Sequence, residues 1–195
     1  MRLYCATTNP GKLREFQKAF AGLYSVEPLA GLADIPAPEE TGTTFEENAA
    51  LKAVYYSKYC DDLLFVDDSG LAVDALGGAP GVYSARFAGP EATDEQNNQL
   101  LIERMRGVEN RTARFISVVA LARAGKLIRT FRGEVEGRLT DEPRGPNGFG
   151  YDPLFFYPPF GCTFGEVPLD RKMTVSHRAA ALSQLRDFLK NQCGY

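Results

Sequence analysis

The sequence predicts an α/β protein, a mixed sheet with helices packed on it, and three observations predict it. Short apolar runs such as Leu3–Thr7 and Leu63–Val66 read as strands. Between them lie segments with apolar residues at helical spacing, such as Leu13, Phe16 and Phe20. The order is βαβα, then β, α, ββ, β, α, which is not the regular alternation of a doubly wound Rossmann sheet.

The elements follow from local signals. Leu3–Thr7 is a strand, and a helix is expected from Lys12 to about Ala21. Ser25–Leu29 reads as a second strand before Pro36-Ala37-Pro38 breaks the chain. Thr44 has the character of an N-cap, with Glu47 completing a capping box, and that helix should run to about Tyr59. Leu63–Val66 is a buried-type strand expected to stop at Asp67-Asp68-Ser69-Gly70. After the glycine-rich stretch from Gly77, Thr93 and Gln96 mark a second capping box, opening a helix to about Arg106. Thr112–Ala122 and Leu127–Val135 read as a hairpin around Ala124-Gly125-Lys126. Pro143–Gly150 is a loop, Leu154–Phe156 a short strand, and Ser176 opens the last helix.

The chain has 195 residues, enough for one sizeable core and two lobes at most. Hydrophobic residues are 44% and charged residues 24%, an ordinary globular composition. A net charge of -3 and a pI near 5.3 give no bulk attraction to nucleic acid or an anionic membrane. No apolar run is long enough to span a bilayer, and no basic leader with an apolar segment precedes the first strand, so neither a membrane anchor nor a signal peptide is expected. Cys5, Cys60, Cys162 and Cys193 are scattered without CxxC spacing, which suits reduced thiols in a cytoplasmic protein. The single His177 argues against a histidine-rich metal centre.

Four segments carry chemistry. Thr7-Thr8-Asn9-Pro10-Gly11-Lys12 joins a strand to a helix and offers backbone N–H groups, hydroxyls, a helix N-terminus and one lysine. That set suits a phosphate. It is not a Walker A motif, which needs glycine at Ala6 and Ser or Thr at Leu13. A simple capped turn accounts for the segment equally well.

Asp67-Asp68-Ser69-Gly70 places two carboxylates side by side after a buried strand. Adjacent carboxylates repel and call for a compensating cation or donors. With Glu40 they form a set of oxygen ligands that suits Mg²⁺, which takes one or two carboxylates plus substrate phosphates. An exposed acidic turn is the competing reading. Lys52, on the same helix as Glu47, is either a phosphate ligand or a solvated lysine.

Phe149-Gly150-Tyr151-Asp152 combines aromatic rings for stacking on a base with a carboxylate that accepts from a base N–H. Lys172 precedes Ser176-His177-Arg178, which puts two potential cations in the first turn of a helix. That is the unfavourable end of the helix dipole, a placement that hints at a ligand. Lysines for phosphates, carboxylates for metal and an aromatic–Asp–His–Arg set for a base together describe a nucleoside triphosphate site without a Walker motif.

On these residues the chain resembles the inosine triphosphate pyrophosphatases, which clear non-standard purine triphosphates from the nucleotide pool. The matching elements are Thr7–Lys12, Glu40-Thr41-Gly42, Phe45–Ala49 with Lys52, Asp67–Leu71, Gly77–Gly89, Gly148–Pro153, and Lys172 with Ser176–Arg178. They stand in the family's order and cover nearly the whole chain. The resemblance implies one domain over residues 1–195, two-lobed around a long curved mixed sheet, with the active site between the lobes. It implies a Mg²⁺-dependent homodimer that hydrolyses ITP, dITP and XTP to the monophosphate and pyrophosphate. By position, Asp68 is the proton acceptor and a metal ligand, with Glu40 and Asp67 as further ligands. Thr7, Thr8, Asn9, Pro10, Gly11, Lys12 and Lys52 are implied to bind the triphosphate. Ser69, Phe149, Gly150, Tyr151, Asp152, Lys172, His177 and Arg178 are implied to contact the nucleotide. Two departures stand out: Arg171 where an acidic residue is expected before the lysine, and Ala179 where glycine is common. The alternatives are a pyrophosphatase for modified or pyrimidine nucleotides, and a nucleotide- or RNA-binding module that does not cleave.

Overall fold

The computed structural model describes residues 2–193, the side chain of Cys193 excepted. Seven strands form one mixed sheet in the order β2-β1-β3-β4-β5-β6-β7. β1 (Arg2–Cys5) lies parallel to both β2 (Ser25–Pro28) and β3 (Leu64–Val73), pairing Leu3 with Val26 and Tyr4 with Leu64. β4 (Thr112–Arg123) and β5 (Lys126–Leu139) are sheet neighbours joined through Ala124-Gly125, a connection only antiparallel strands can use. β6 (Phe155–Tyr157) runs antiparallel to β5, and β7 (Cys162–Thr163), which the sequence did not reveal, antiparallel to β6. The α/β mixed-sheet expectation holds.

Five α-helices accompany the sheet among the described residues: α1 (Pro10–Phe20), α2 (Phe45–Tyr56), α3 (Asp94–Arg104), α4 (Leu169–Lys172) and α5 (His177–Cys193). α1 starts two residues earlier than expected because Pro10 occupies the first turn, where its missing N–H costs nothing. Both capping boxes are present: Thr44 with Glu47, and Thr93 with Gln96. Glu47 accepts from the backbone N–H groups of Thr43 and Thr44, and these bonds hold its carboxyl below the usual range. The Thr44→Ala variant should therefore lose about 1 kcal/mol of stability in urea unfolding. An unchanged midpoint would show that the cap contributes nothing.

The chain divides into two compact units. The first comprises residues 1–68, 117–133 and 177–195. Its interior includes Leu3, Cys5, Phe16, Phe20, Phe65, Leu182 and Leu185, with Phe16 and Phe65 in edge-to-face contact. Burial pushes the Cys5 thiol up to about 12, so it is an inert apolar side chain. The second comprises residues 69–116 and 134–176, with a core that includes Leu71, Val73, Leu101, Phe115, Phe155 and Phe164. Cys5, Cys60 and Cys162 are free thiols; the Cys193 side chain lies outside the described residues.

One strand departs from expectation in a way that matters. β3 does not stop at Asp67 but runs on to Val73, nearly all of it buried. A strand buried on both faces normally reads as a continuous apolar run. Here Asp67-Asp68-Ser69-Gly70 interrupts one, so the acidic pair is not an exposed turn and each carboxylate must find a partner inside.

Candidate active site

Successive side chains of a strand point to opposite faces. Asp67 and Asp68 therefore face opposite ways, although they are adjacent in sequence and Lys12 acts on both. Each anchors its own cluster in the first unit.

Asp67 faces α1 and α5. Lys12 Nζ lies 2.8 Å from its Oδ2, Ser117 Oγ donates to Oδ1 at 2.5 Å, and Arg178 Nη2 donates to Oδ2 at 3.2 Å. Burial alone would raise the Asp67 pKa. Arg178 and Lys12 outweigh it and hold the carboxyl well below its usual range. Arg178, 2% exposed, also donates to Glu15 Oε2 at 2.5 Å. The unfavourable cation at the start of α5 is thus answered by two carboxylates of the protein. Arg178 ties α5 to α1 and β3.

The phosphate-type loop of Thr7–Lys12 sits at the head of α1. Asn9 caps the helix by accepting from the Lys12 N–H at 3.0 Å, and Thr7 Oγ1 accepts from the Asn9 N–H at 3.2 Å. The loop is a capped turn, and Thr8, Asn9 and Pro10 remain exposed.

Asp68 faces α2. Lys52 Nζ bonds Asp68 Oδ1 at 2.5 Å and Glu40 Oε1 at 2.8 Å. Both partners shift upward, for different reasons. Burial would lower the Lys52 pKa, yet Asp68 and Glu40 together raise it. Burial also raises the Asp68 pKa, and Lys52 offsets this only in part. The asymmetry has a visible cause: Lys52 has two carboxylates, whereas Asp68 Oδ2 is buried without a hydrogen-bond partner. Asp68 thus has one buried oxygen beyond its bond to Lys52. Among the described residues no three of His, Cys, Asp or Glu gather as metal ligands, so Asp67 does not join Asp68 and Glu40. The strand turns Asp67 to the face opposite Asp68.

The second unit holds the aromatic segment. Phe149–Asp152 forms a tight turn in which Asp152 Oδ2 accepts from the Phe149 N–H at 3.0 Å and from Lys172 Nζ at 2.5 Å. Gly148 is required here: its φ is +79°, and a Cβ would meet Asp152 Oδ2 at 2.3 Å. The Lys172 ammonium lies 4.9 Å from the Phe149 ring centroid, a cation–π distance. Tyr151 is buried and its hydroxyl donates to the Ser84 carbonyl at 2.7 Å, so it anchors the turn. Gly70 allows the turn bearing Ser84 to close on β3, since a Cβ there would lie 2.3 Å from Ser84 Oγ. Ser69 precedes it on β3, and His177 is buried at the start of α5 in the first unit.

Sequence reasoning missed Glu15 and Ser117. Both carried a signal: Glu15 falls beside Phe16 on the buried side of α1, and Ser117 interrupts the apolar run of β4.

Fold and side chains together define an α/β protein with a lysine-bearing helix N-terminus and buried carboxylate–lysine pairs, and no Walker motif. The chain belongs to the Ham1 family, whose sequence profile matches residues 3–188. It is 52% identical over 186 residues to a dITP/XTP pyrophosphatase of Exiguobacterium sp. AT1b, covering 95% of each chain. It is 49% identical over 187 residues to one of Listeria monocytogenes, covering 94% of this chain and 92% of the other. The Staphylococcus aureus Ham1 protein superposes with a TM-score of 0.87 at 37% identity, covering 98% of this chain and all of that one. A Coxiella burnetii HAM1 protein gives 0.87 at 38% identity, covering 98% of this chain and 99% of that one.

Proposed function

We propose that the protein hydrolyses non-standard purine nucleoside triphosphates, ITP, dITP and XTP, to the monophosphate and pyrophosphate. The observation that carries the chemistry is Asp68: a buried carboxylate with Oδ1 on Lys52 and Oδ2 without a partner. The names of the relatives support the substrate class.

In this reading water attacks the α-phosphorus and pyrophosphate leaves. Asp68 Oδ2 orients the water and takes its proton; a carboxyl raised by burial is a better acceptor than an exposed one. Lys52 holds Asp68 in place and, with Lys12 and the N–H groups at the head of α1, neutralises charge on the phosphates. The residues fit Mg²⁺: two carboxylates, Asp68 and Glu40, meet on Lys52, and one buried oxygen of Asp68 awaits a partner. Bound there, Mg²⁺ would supply further charge neutralisation at the phosphate oxygens.

Phe149 is proposed to stack on the base, with Asp152 and the donor Lys172 reading its edge. Hypoxanthine and xanthine present a 6-keto acceptor where adenine presents a 6-amino donor. A donor-lined site left unpaired by adenine can discriminate by about 10⁴. Guanine shares the keto group, so its rejection rests on the 2-amino side.

The purified protein with Mg²⁺ should release pyrophosphate from ITP and XTP, far less from ATP, and none after EDTA treatment. Orthophosphate as the sole product, or equal rates on ATP and ITP, overturns this reading. Pyrophosphate from pyrimidine triphosphates would favour a different base preference. We further propose a cytoplasmic homodimer, checked by cell fractionation and by the mass in light scattering. Among the described residues no helix is long and apolar enough to cross a membrane.

A further inference from the structure

The Phe149–Asp152 turn is held from behind by one helix. Asp94 and Asn98 stand four residues apart on α3 and so share a helix face. Asp94 Oδ2 accepts from the Gly150 N–H at 2.6 Å, and Asn98 Nδ2 donates to the Gly150 carbonyl at 2.9 Å. One helix face thus clasps both backbone polar groups of the residue after Phe149. All these residues belong to the second unit.

Two features make this clasp consequential. Gly148 and Gly150 both have left-handed backbone, at φ +79° and +59°, so the chain has little intrinsic preference for this turn. The turn also borders a cavity of about 390 Å³, lined by Asp94, Asn98, Ile102, Pro143 and Phe149 among others. Apolar packing there is incomplete, and directional hydrogen bonds must do what packing does elsewhere. Asp152 is fixed from its other side by Lys172. Phe149 and Asp152 are bonded to each other, Tyr151 anchors the turn between them, and α3 fixes Gly150, the residue on which Phe149 swings.

We infer that Asp94 and Asn98 are positioning residues for base selection, acting through Gly150 on Phe149 and Asp152. The inference rests on the proposed reading of Phe149–Asp152 as the base-contacting turn. Their printed hydrogen bonds to the turn go to the backbone of Gly150. A turn that drifts by even a fraction of an ångström loses stacking overlap and hydrogen-bond direction, while the phosphate-binding lysines keep their own anchors. The loss should fall on selectivity and KM more than on kcat.

The test compares Asp94→Ala, Asp94→Asn, Asn98→Leu and Phe149→Ala by pyrophosphate release from ITP and GTP. Asp94→Ala and Asn98→Leu should each lower kcat/KM for ITP by about tenfold, mostly through KM, and narrow the ITP-to-GTP ratio. Asp94→Asn keeps an acceptor oxygen and should recover most of the loss. Both Asp94 variants remove the same charge from the first turn of α3, so the difference between them isolates the bond to Gly150. If Phe149→Ala moves the ratio and the α3 variants do not, the positioning role is wrong while the base-contact reading stands. If Phe149→Ala leaves the ratio unchanged, the base-contact reading fails and takes the inference with it.

Discussion

The Asp68→Asn enzyme is expected to lose turnover by roughly 10²–10⁴ while still binding ITP, because a positioned base contributes about that much. The substitution keeps the shape of the side chain and removes both the charge that holds Lys52 and the basicity of Oδ2. Lys52 retains Glu40, so the local structure should survive. Lys12 is anchored on Asp67, so nucleotide affinity should change little. Single-turnover pyrophosphate release, paired with a direct binding measurement on ITP, separates the two effects. Wild-type turnover in this variant would remove Asp68 from the chemistry. Loss of binding with turnover unaffected at saturation would make it a substrate ligand only.

Replacing Arg178 with Met should cost about 3–5 kcal/mol of folding stability, the usual result of removing one partner from a buried ion network. Glu15 and Asp67 would both lose a guanidinium inside the core, while Asp67 would keep Lys12 and Ser117. The pH dependence gives this prediction its sign. In the wild type the Asp67 pKa lies below its unfolded value of about 3.9. Its contribution is therefore fully present above pH ~4 and is lost as pH falls through the folded pKa. In Arg178→Met the charge that Arg178 neutralised is a burden, and protonating Asp67 relieves it. The stability gap between the two proteins should therefore narrow below pH ~4. Urea unfolding across that range measures it. A gap that is small at neutral pH, or that widens in acid, would mean that the network does not carry the helix contact.

Much of the fold was legible because its signals are local. The capping boxes at Thr44 and Thr93 need only residues three apart, and both formed as read. The hairpin around Ala124-Gly125 depends on a turn and two apolar runs, again short-range. β7 was not legible: it spans two residues and exists only because β6 lies beside it. The extent of β3 was misread for a related reason. A polar tetrad ends a strand by local rules, and only partners remote in sequence make it tolerable inside one.

The sequence by itself determined which residue types are present for the chemistry: a lysine at a helix head, carboxylates at the end of an apolar run, an aromatic–acid turn and a cation at the last helix start. Tertiary structure alone decided how they are grouped. The pleat sends Asp67 and Asp68 to opposite faces, one into a buried arginine network and the other to Lys52 with an oxygen to spare. Glu15, Ser117, Asp94 and Asn98 take their roles from partners at sequence separations of 163, 50, 56 and 52 residues. Spacing along the chain reports short-range order, whereas such distant pairs are chosen by the packing of the whole fold.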